Sequence, residues 1–381
     1  MTLTANWSYP TAIRFGAGRI KEIGEACAAA GISRPLLVTD RGLGSLPITS
    51  ATLDLVEKAG LGRAIFADVD PNPTEDNLAA GIDAFKTGNH DGIISFGGGS
   101  GLDLAKMVAF MAHQTRPVWD FEDIGDWWTR ADPDVIYPNI AVPTTAGTGS
   151  EVGRASVLTN TTTREKKIIF HPKVLPSVVI ADPELTVGMP PAITAGTGMD
   201  AFAHCLEAYC SPSYHPMSQG IALEGMRLVK ENLTRAYEVP GDLDARAHMM
   251  SAAMMGATAF QKGLGAIHAI SHPIGAHFHT HHGTTNAVVM QAVLAFNRPA
   301  IEDRLAQAAS YLGIDGGFDG FYEFVGDLNR RLQIPESVTA LGVVGADIDV
   351  LLEGTLKDPT SGSNPVAMTP ENTRPLIESL F

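Results

Sequence analysis

Residues 91–112 read DGIISFGGGSGLDLAKMVAFMA. The run Asp91-Gly92-Ile93-Ile94-Ser95-Phe96 is short, apolar and β-rich, the pattern of a strand buried on both faces. It passes directly into Gly97-Gly98-Gly99-Ser100, and from Leu102 to Ala112 the apolar spacing predicts a helix. Strand, glycine turn and helix start make a βα unit in which unpaired N–H groups at the helix N-terminus can face an anion and no side chain obstructs a phosphate. Taken alone, GGGS reads equally well as an ordinary tight turn. A second stretch tips the balance. Asn139-Ile140-Ala141-Val142-Pro143 predicts another strand, and it leads into Thr144-Thr145-Ala146-Gly147-Thr148-Gly149-Ser150-Glu151, again small and rich in hydroxyls. Two such loops, with Asp40 at a strand end where a carboxylate can meet a ribose hydroxyl, suggest a dinucleotide ligand, although the GxGxxG fingerprint is absent.

Working outward, Arg34–Asp40 and Arg63–Phe66 predict two further strands, the second leading into Asp68-Val69-Asp70-Pro71-Asn72-Pro73, and Thr74 is placed to cap a helix running through Phe85. This alternation continues to about Ala181 and predicts an α/β, Rossmann-like domain with a mostly parallel sheet. Beyond Pro190-Pro191 strand signals nearly vanish, and long helical periods of Ala, Met and Leu take over. The expected organisation is a dinucleotide-binding domain over residues 1–185 and an all-helical, metal-binding domain over 186–381. A small-molecule site is expected in the groove between them.

The metal expectation comes from GLGAIHAISHPIGAHFHTHHG, residues 263–283, which holds six of the twelve histidines in the chain. His268 and His272 lie four apart in a proline-free apolar run from Ala252, so on a helix they share a face. Asp200 and His204 repeat that spacing upstream. Asp200, His204, His268 and His282 together offer one carboxylate and three imidazoles, a set suited to Fe(II) or Zn(II) with a position left for substrate. Any one of these histidines is more often a satisfied core or surface residue; the whole set is harder to explain that way. His277, His279 and His281 alternate as on an extended segment and are assigned no role.

Composition limits the alternatives. A net charge of −15 opposes binding to nucleic acid or anionic membranes. Cys27, Cys205 and Cys210 form no CxxC pair or even framework, which fits a reducing cytoplasm. No apolar run reaches the length of a membrane span, and MTLTANWSYP lacks the basic and apolar regions of a secretion signal.

These residues resemble the iron-containing (group III) alcohol dehydrogenases, within the fold group that also holds glycerol dehydrogenase and dehydroquinate synthase. The resemblance rests on Gly97–Ser100 with Asp103 and Lys106, on Pro143–Glu151, on Gly198-Met199-Asp200 through His204 and Glu207, and on Gly263-Leu264-Gly265 through His268, His272 and His282-Gly283. It implies metal ligation by Asp200, His204, His268 and His282. It also implies NAD contacts at Asp40, Asn72, Gly97, Gly98, Gly99, Ser100, Thr144, Thr145, Thr148, Lys167 and Leu185, and a homodimer or higher homo-oligomer. The implied reaction is hydride transfer between NAD(H) and a small alcohol or aldehyde, with the cation as Lewis acid; a glycerol-dehydrogenase-like oxidoreductase or a dehydroquinate-synthase-type lyase is the alternative. His272, the remaining imidazole on the metal helix, is the expected catalytic residue, relaying the alcohol proton; the alternative is a supporting hydrogen bond with no proton transfer. Asp40 predicts a preference for NAD over NADP, unless it merely caps the turn that follows it. Lys262, just ahead of the glycine turn leading to His268, raises the hypothesis of a short ω-hydroxy acid whose distal carboxylate it binds; a solvated lysine is the commoner reading, and with it a plain C2 to C4 primary alcohol is the default substrate. Where many members carry a cysteine near the C-terminal Asn-Pro, this chain has Thr360.

Overall fold

The computed structural model describes residue 9 and residues 11–381 apart from 164 and 346, so the N-terminal reading of MTLTANWSYP lies, except for Tyr9, outside the described residues. The chain forms two compact units, one comprising Tyr9–Thr145 and Gly149–Gly188, the other including Ala146–Thr148 and Met189–Phe381.

The first unit is built on a six-stranded sheet. Its strands are β1 (Ala12–Phe15), β2 (Pro35–Val38), β3 (Ile65–Phe66), β4 (Gly92–Gly97) and β5 (Asn139–Pro143), while β6 (Ala155–Asn160) and β7 (Glu165–Phe170) form a separate antiparallel hairpin and β8 (Val178–Ala181) returns to the sheet. The spatial order is β1-β8-β5-β4-β2-β3, and every pairing is parallel. The helices of this unit are α1 (Ile23–Ala29), α2 (Arg41–Gly44), α3 (Pro47–Lys58), α4 (Glu75–Thr87) and α5 (Gly99–Met111).

Alternation along the strands gives the sheet two buried faces. Leu36, Val38 and Ile93 pack with Leu78, Phe85, Leu104 and Val108 on one side; Leu37, Ile94, Phe96, Ile140 and Val142 pack with Ile23, Leu53 and Val56 on the other. Continuous apolar strands are what helices on both faces require. Thr74 caps α4 through a reciprocal capping box with Asn77.

Helix α5 starts at Gly99 rather than at Leu102, because Gly98 already adopts extended backbone and serves as its N-cap. The glycine run therefore is the first turn of the helix. Asp103 and Lys106, one and two turns in, fasten the second loop to it. Asp103 accepts from Ser150 Oγ (2.5 Å) and Val157 N–H (2.9 Å), and Lys106 Nζ donates to the carbonyls of Ser150 (3.0 Å) and Ala155 (2.5 Å).

The second unit is helical: α6 (Pro191–Cys210), α7 (Pro216–Glu238), α8 (Leu243–Ala259), α9 (Ala266–Phe278), α10 (His282–Leu312), α11 (Gly317–Arg331), α12 (Ile348–Lys357) and α13 (Pro370–Glu378). Two local expectations are corrected. The apolar run from Ala252 to His272 is not one helix, since Gly263, at φ +125°, and Gly265 break it between α8 and α9. Nor are His277, His279 and His281 on an extended segment. His277 lies in the last turn of α9, His279 closes that helix in the left-handed conformation, and His281 caps α10 by accepting from Thr284 N–H (3.3 Å).

Candidate active site

Three helices of the second unit converge on one carboxylate. Asp200 and His204 lie one turn apart on α6 and are both buried; His268 comes from the start of α9 and His282 opens α10. Asp200 Oδ1 stands 3.9 Å from His204 Nε2, 3.8 Å from His268 Nε2 and 3.5 Å from His282 Nε2. The ligand atoms of Asp200, His204 and His268 all lie within 4.8 Å of one another. The approach of α10 depends on backbone rather than side chain. A Cβ on Gly283 would fall 2.1 Å from the carbonyl oxygen of Gly196, so only glycine there lets the first turn of α10 reach α6.

The imidazoles are held in defined states by their neighbours. Glu207, two turns from Asp200 on α6, accepts from His268 Nδ1–H and from Ile267 N–H, each at 2.6 Å. It thereby caps α9 and turns His268 Nε2 toward Asp200. Burial works to lower the His268 pKa, but Glu207, with Asp200 beside it, outweighs burial and raises it. Asn364 Oδ1 completes the cap by accepting from Ala266 N–H (3.0 Å). Burial pushes the His204 pKa down to about 4, so this imidazole is a neutral donor. His272 donates from Nδ1 to Asp358 Oδ2 (2.7 Å), and its ring stacks on His282 at 5.3 Å between centroids. Burial works to raise the Asp358 pKa, but the adjoining His272 imidazole outweighs it and holds the carboxyl below its usual range. Thr360 turns its hydroxyl to Asp358 Oδ1 (2.6 Å) and to the carbonyl of Gly265 (3.2 Å).

This donor set fits a divalent cation. Asp200 and Glu207 are buried carboxylates beside imidazoles of which burial holds His204 neutral, and buried negative charge calls for a compensating positive one.

Lys262 does not join the set. Its ammonium is buried and donates to the carbonyls of Ala208 (2.9 Å), Tyr209 (3.0 Å) and Ser211 (2.5 Å), the C-terminal end of α6. The carboxylate-binding expectation is thus replaced by a helix-capping role: the long stem folds back to satisfy orphan carbonyls instead of reaching substrate.

In the first unit, Gly97 takes φ +147° at the strand end, and its carbonyl accepts from Thr144 N–H (2.9 Å), tying the two glycine loops together. Asp40 Oδ1 caps α2 by accepting from Leu43 N–H (3.0 Å), while its Oδ2 faces the Gly97 turn, 3.5 Å from where a Cβ at 97 would lie. Ser100 Oγ donates to the carbonyl of Pro71 (2.5 Å), next to half-buried Asn72. Thr159 N–H on the hairpin bonds the carbonyl of Pro73 (2.8 Å), setting that hairpin beside the Asn72 loop. Asp40, Asn72, Gly97–Ser100, Thr144 and Thr145 thus surround one strand edge. Three further assigned positions have other ties. Lys167 is paired with Glu122 (3.3 Å) and Glu165 (2.9 Å), Leu185 packs in the core with Phe96 and Val142, and Thr148 falls in the short segment that belongs to the helical unit.

Sequence reasoning assigned no role to Asn286, Asp358 or Asn364. Only Asn286 carried a local signal, since it follows His282 by four residues and so shares its helix face.

A glycine turn at a strand edge in one unit and a carboxylate with three imidazoles in the other are the features of a metal-dependent, NAD-linked oxidoreductase. The chain belongs to the iron-containing alcohol dehydrogenase family: the model of that name matches residues 10–183, and the model of its C-terminal part, the Fe-containing alcohol dehydrogenase family, matches residues 194–381. It is 38% identical over 380 residues to 4-hydroxybutyrate dehydrogenase of Cupriavidus necator, covering 97% of this chain and 98% of that one. Among solved structures it is similar to 1,3-propanediol oxidoreductase, with a TM-score of 0.94, 34% identity and coverage of 99% and 100% of the two chains. It is likewise similar to sulfoacetaldehyde reductase of Bifidobacterium kashiwanohense in complex with NAD+, with a TM-score of 0.90, 29% identity and coverage of 100% and 99%. These likenesses support the alcohol dehydrogenase reading over the polyol and lyase alternatives. No helix among the described residues is long and apolar enough to cross a membrane.

Proposed function

We propose that Asp200, His204, His268 and His282 hold one divalent ion, and that the Gly97–Ser100 turn with Asp40, Asn72, Thr144, Thr145, Thr148, Lys167 and Leu185 receives NAD. The enzyme interconverts a short primary alcohol or ω-hydroxy acid and its aldehyde. The carrying observation is the single carboxylate oxygen, Asp200 Oδ1, surrounded at 3.5–3.9 Å by three imidazole nitrogens. Iron is favoured by family, and the same donors accept zinc. When bound, the ion supplies Lewis acidity at the substrate oxygen, and NAD takes up or returns the hydride. Glu207 anchors Nδ1 of His268 and so directs Nε2 toward Asp200. Asp358 orients His272 through Nδ1, leaving Nε2 to pass the alcohol proton toward solvent. With Lys262 committed to α6, the four-carbon hydroxy acid rests on the likeness to 4-hydroxybutyrate dehydrogenase.

His268→Ala should bind far less metal by elemental analysis and lose NAD-dependent oxidation of 1-butanol and 4-hydroxybutyrate together. Full activity in metal-stripped wild type overturns the reading. We also propose a homodimer in a reducing cytoplasm, supported by the family likeness and by three cysteines that are all free and buried. A monomer in sedimentation at micromolar concentration contradicts the dimer.

A further inference from the structure

Asn286 touches three of the four residues assigned to the ion, yet carries no role in that assignment. It lies one turn beyond His282 on α10 and is completely buried. Its Nδ2 donates to Asp200 Oδ1 at 2.8 Å and lies 3.3 Å from His268 Nε2 and 3.2 Å from His282 Nε2. Its Oδ1 is buried with no hydrogen-bond partner.

The orientation of this amide follows from its neighbours. The carboxylate oxygen Asp200 Oδ1 presents only lone pairs. An amide oxygen turned toward it would set two acceptors 2.8 Å apart, so the NH2 end must point inward even though the oxygen is thereby left without a partner. A buried acceptor without a partner is destabilising, which makes this a position where something other than packing is served.

We propose that Asn286 is a positioning residue for the metal site, fixing the direction in which Asp200 presents its ligating oxygen. This inference rests on the ligand assignment above. A carboxylate oxygen has two lone-pair sites. The short bond from Asn286 takes one and leaves the other directed among the three imidazoles, so Asp200 engages a cation through Oδ1 with a set orientation. An imidazole nitrogen has a single lone pair, so the two longer contacts to His268 and His282 give way to the ion, whereas the bond to Asp200 persists. Asn286 thereby separates two properties that the ligands alone would not: which oxygen of Asp200 binds, and at what angle.

The test uses full-length wild type, Asn286→Leu, Asn286→Ala and His268→Ala, each stripped of metal and titrated with Co(II) in competition with a chromophoric chelator. Visible absorption of the Co(II) protein reads coordination number and geometry. Loss of the orienting bond should weaken Co(II) binding by roughly 10–100-fold and change the intensity of the Co(II) bands, with the unfolding midpoint of the metal-free variant close to that of metal-free wild type. The alanine variant keeps the test valid where leucine does not fit the space. Asn286 variants that bind Co(II) as tightly as wild type or more tightly, with unchanged bands, overturn the inference. Failure of the ligand assignment looks different: wild type and His268→Ala would then bind Co(II) alike.

Discussion

Lys262 illustrates how a residue's neighbourhood in sequence can mislead about its neighbourhood in space. One turn from the metal helix, in a chain of net charge −15, it invites a role with an anionic substrate. Its side chain instead spans back to the end of α6, where Arg304 Nη1 also donates to Tyr209 (2.9 Å), Cys210 (3.2 Å) and Ser211 (3.0 Å). Two cations at a helix C-terminus answer both its unpaired carbonyls and the negative end of its dipole. Lys262→Met should therefore lower stability by on the order of 2 kcal/mol, since the carbonyl of Ala208, which Arg304 does not reach, loses its lysine partner, seen as a lower urea midpoint. The ratio of kcat/KM for 4-hydroxybutyrate to that for 1-butanol should not move. A selective loss on the acid, with the midpoint unchanged, would restore the substrate role. The cluster proposed to hold the ion was legible in part, because Asp200 and His204 share a helix face by local spacing alone. Asp358 was not: it meets His272 across 86 residues, and no local pattern marks such a partner.

At the scale of elements, the glycine turn after β4 carried most of the fold. Buried alternation along β2, β4 and β5 is visible in sequence because both faces of a parallel sheet demand apolar residues. Strand order is not visible: β1 pairs with β8, setting Ala12 beside Val178, and neither that pairing nor the β6–β7 hairpin follows from periodicity. Helix crossings are equally silent. Gly147 reads as part of a phosphate loop, yet a Cβ there would meet Thr197 backbone oxygen at 2.8 Å and its Cβ at 2.7 Å. Its glycine is required by packing against α6, within the helical unit. Gly196 and Gly283 look like ordinary helix glycines, although their close approach is what delivers His282 to Asp200. Such contacts depend on which helices meet, and a single sequence records the small residue without naming its neighbour.

For the molecule as a whole, the division of labour between the two units makes ligand linkage a test of the entire assignment. All four proposed metal ligands lie in the unit that includes Met189–Phe381, while Asp40, Asn72 and the Gly97–Ser100 turn lie in the other. A ligand that binds only the folded state stabilises it by RT ln(1 + [L]/Kd), about 2.7 kcal/mol at a hundredfold excess over Kd. For a unit of this size that corresponds to a rise in Tm of roughly 5–10 °C. Calorimetry of the holoenzyme should thus show the transition of the helical unit falling by that amount on chelation. NAD should raise the transition of the α/β unit, and it should do so in the chelated protein as well. The His268→Ala variant should unfold at the chelated midpoint whether or not metal is added, since it lacks the donor that couples binding to folding. Equal midpoints for wild type with and without chelator would mean that the buried carboxylates are balanced within the chain itself and that the histidines serve packing rather than a metal.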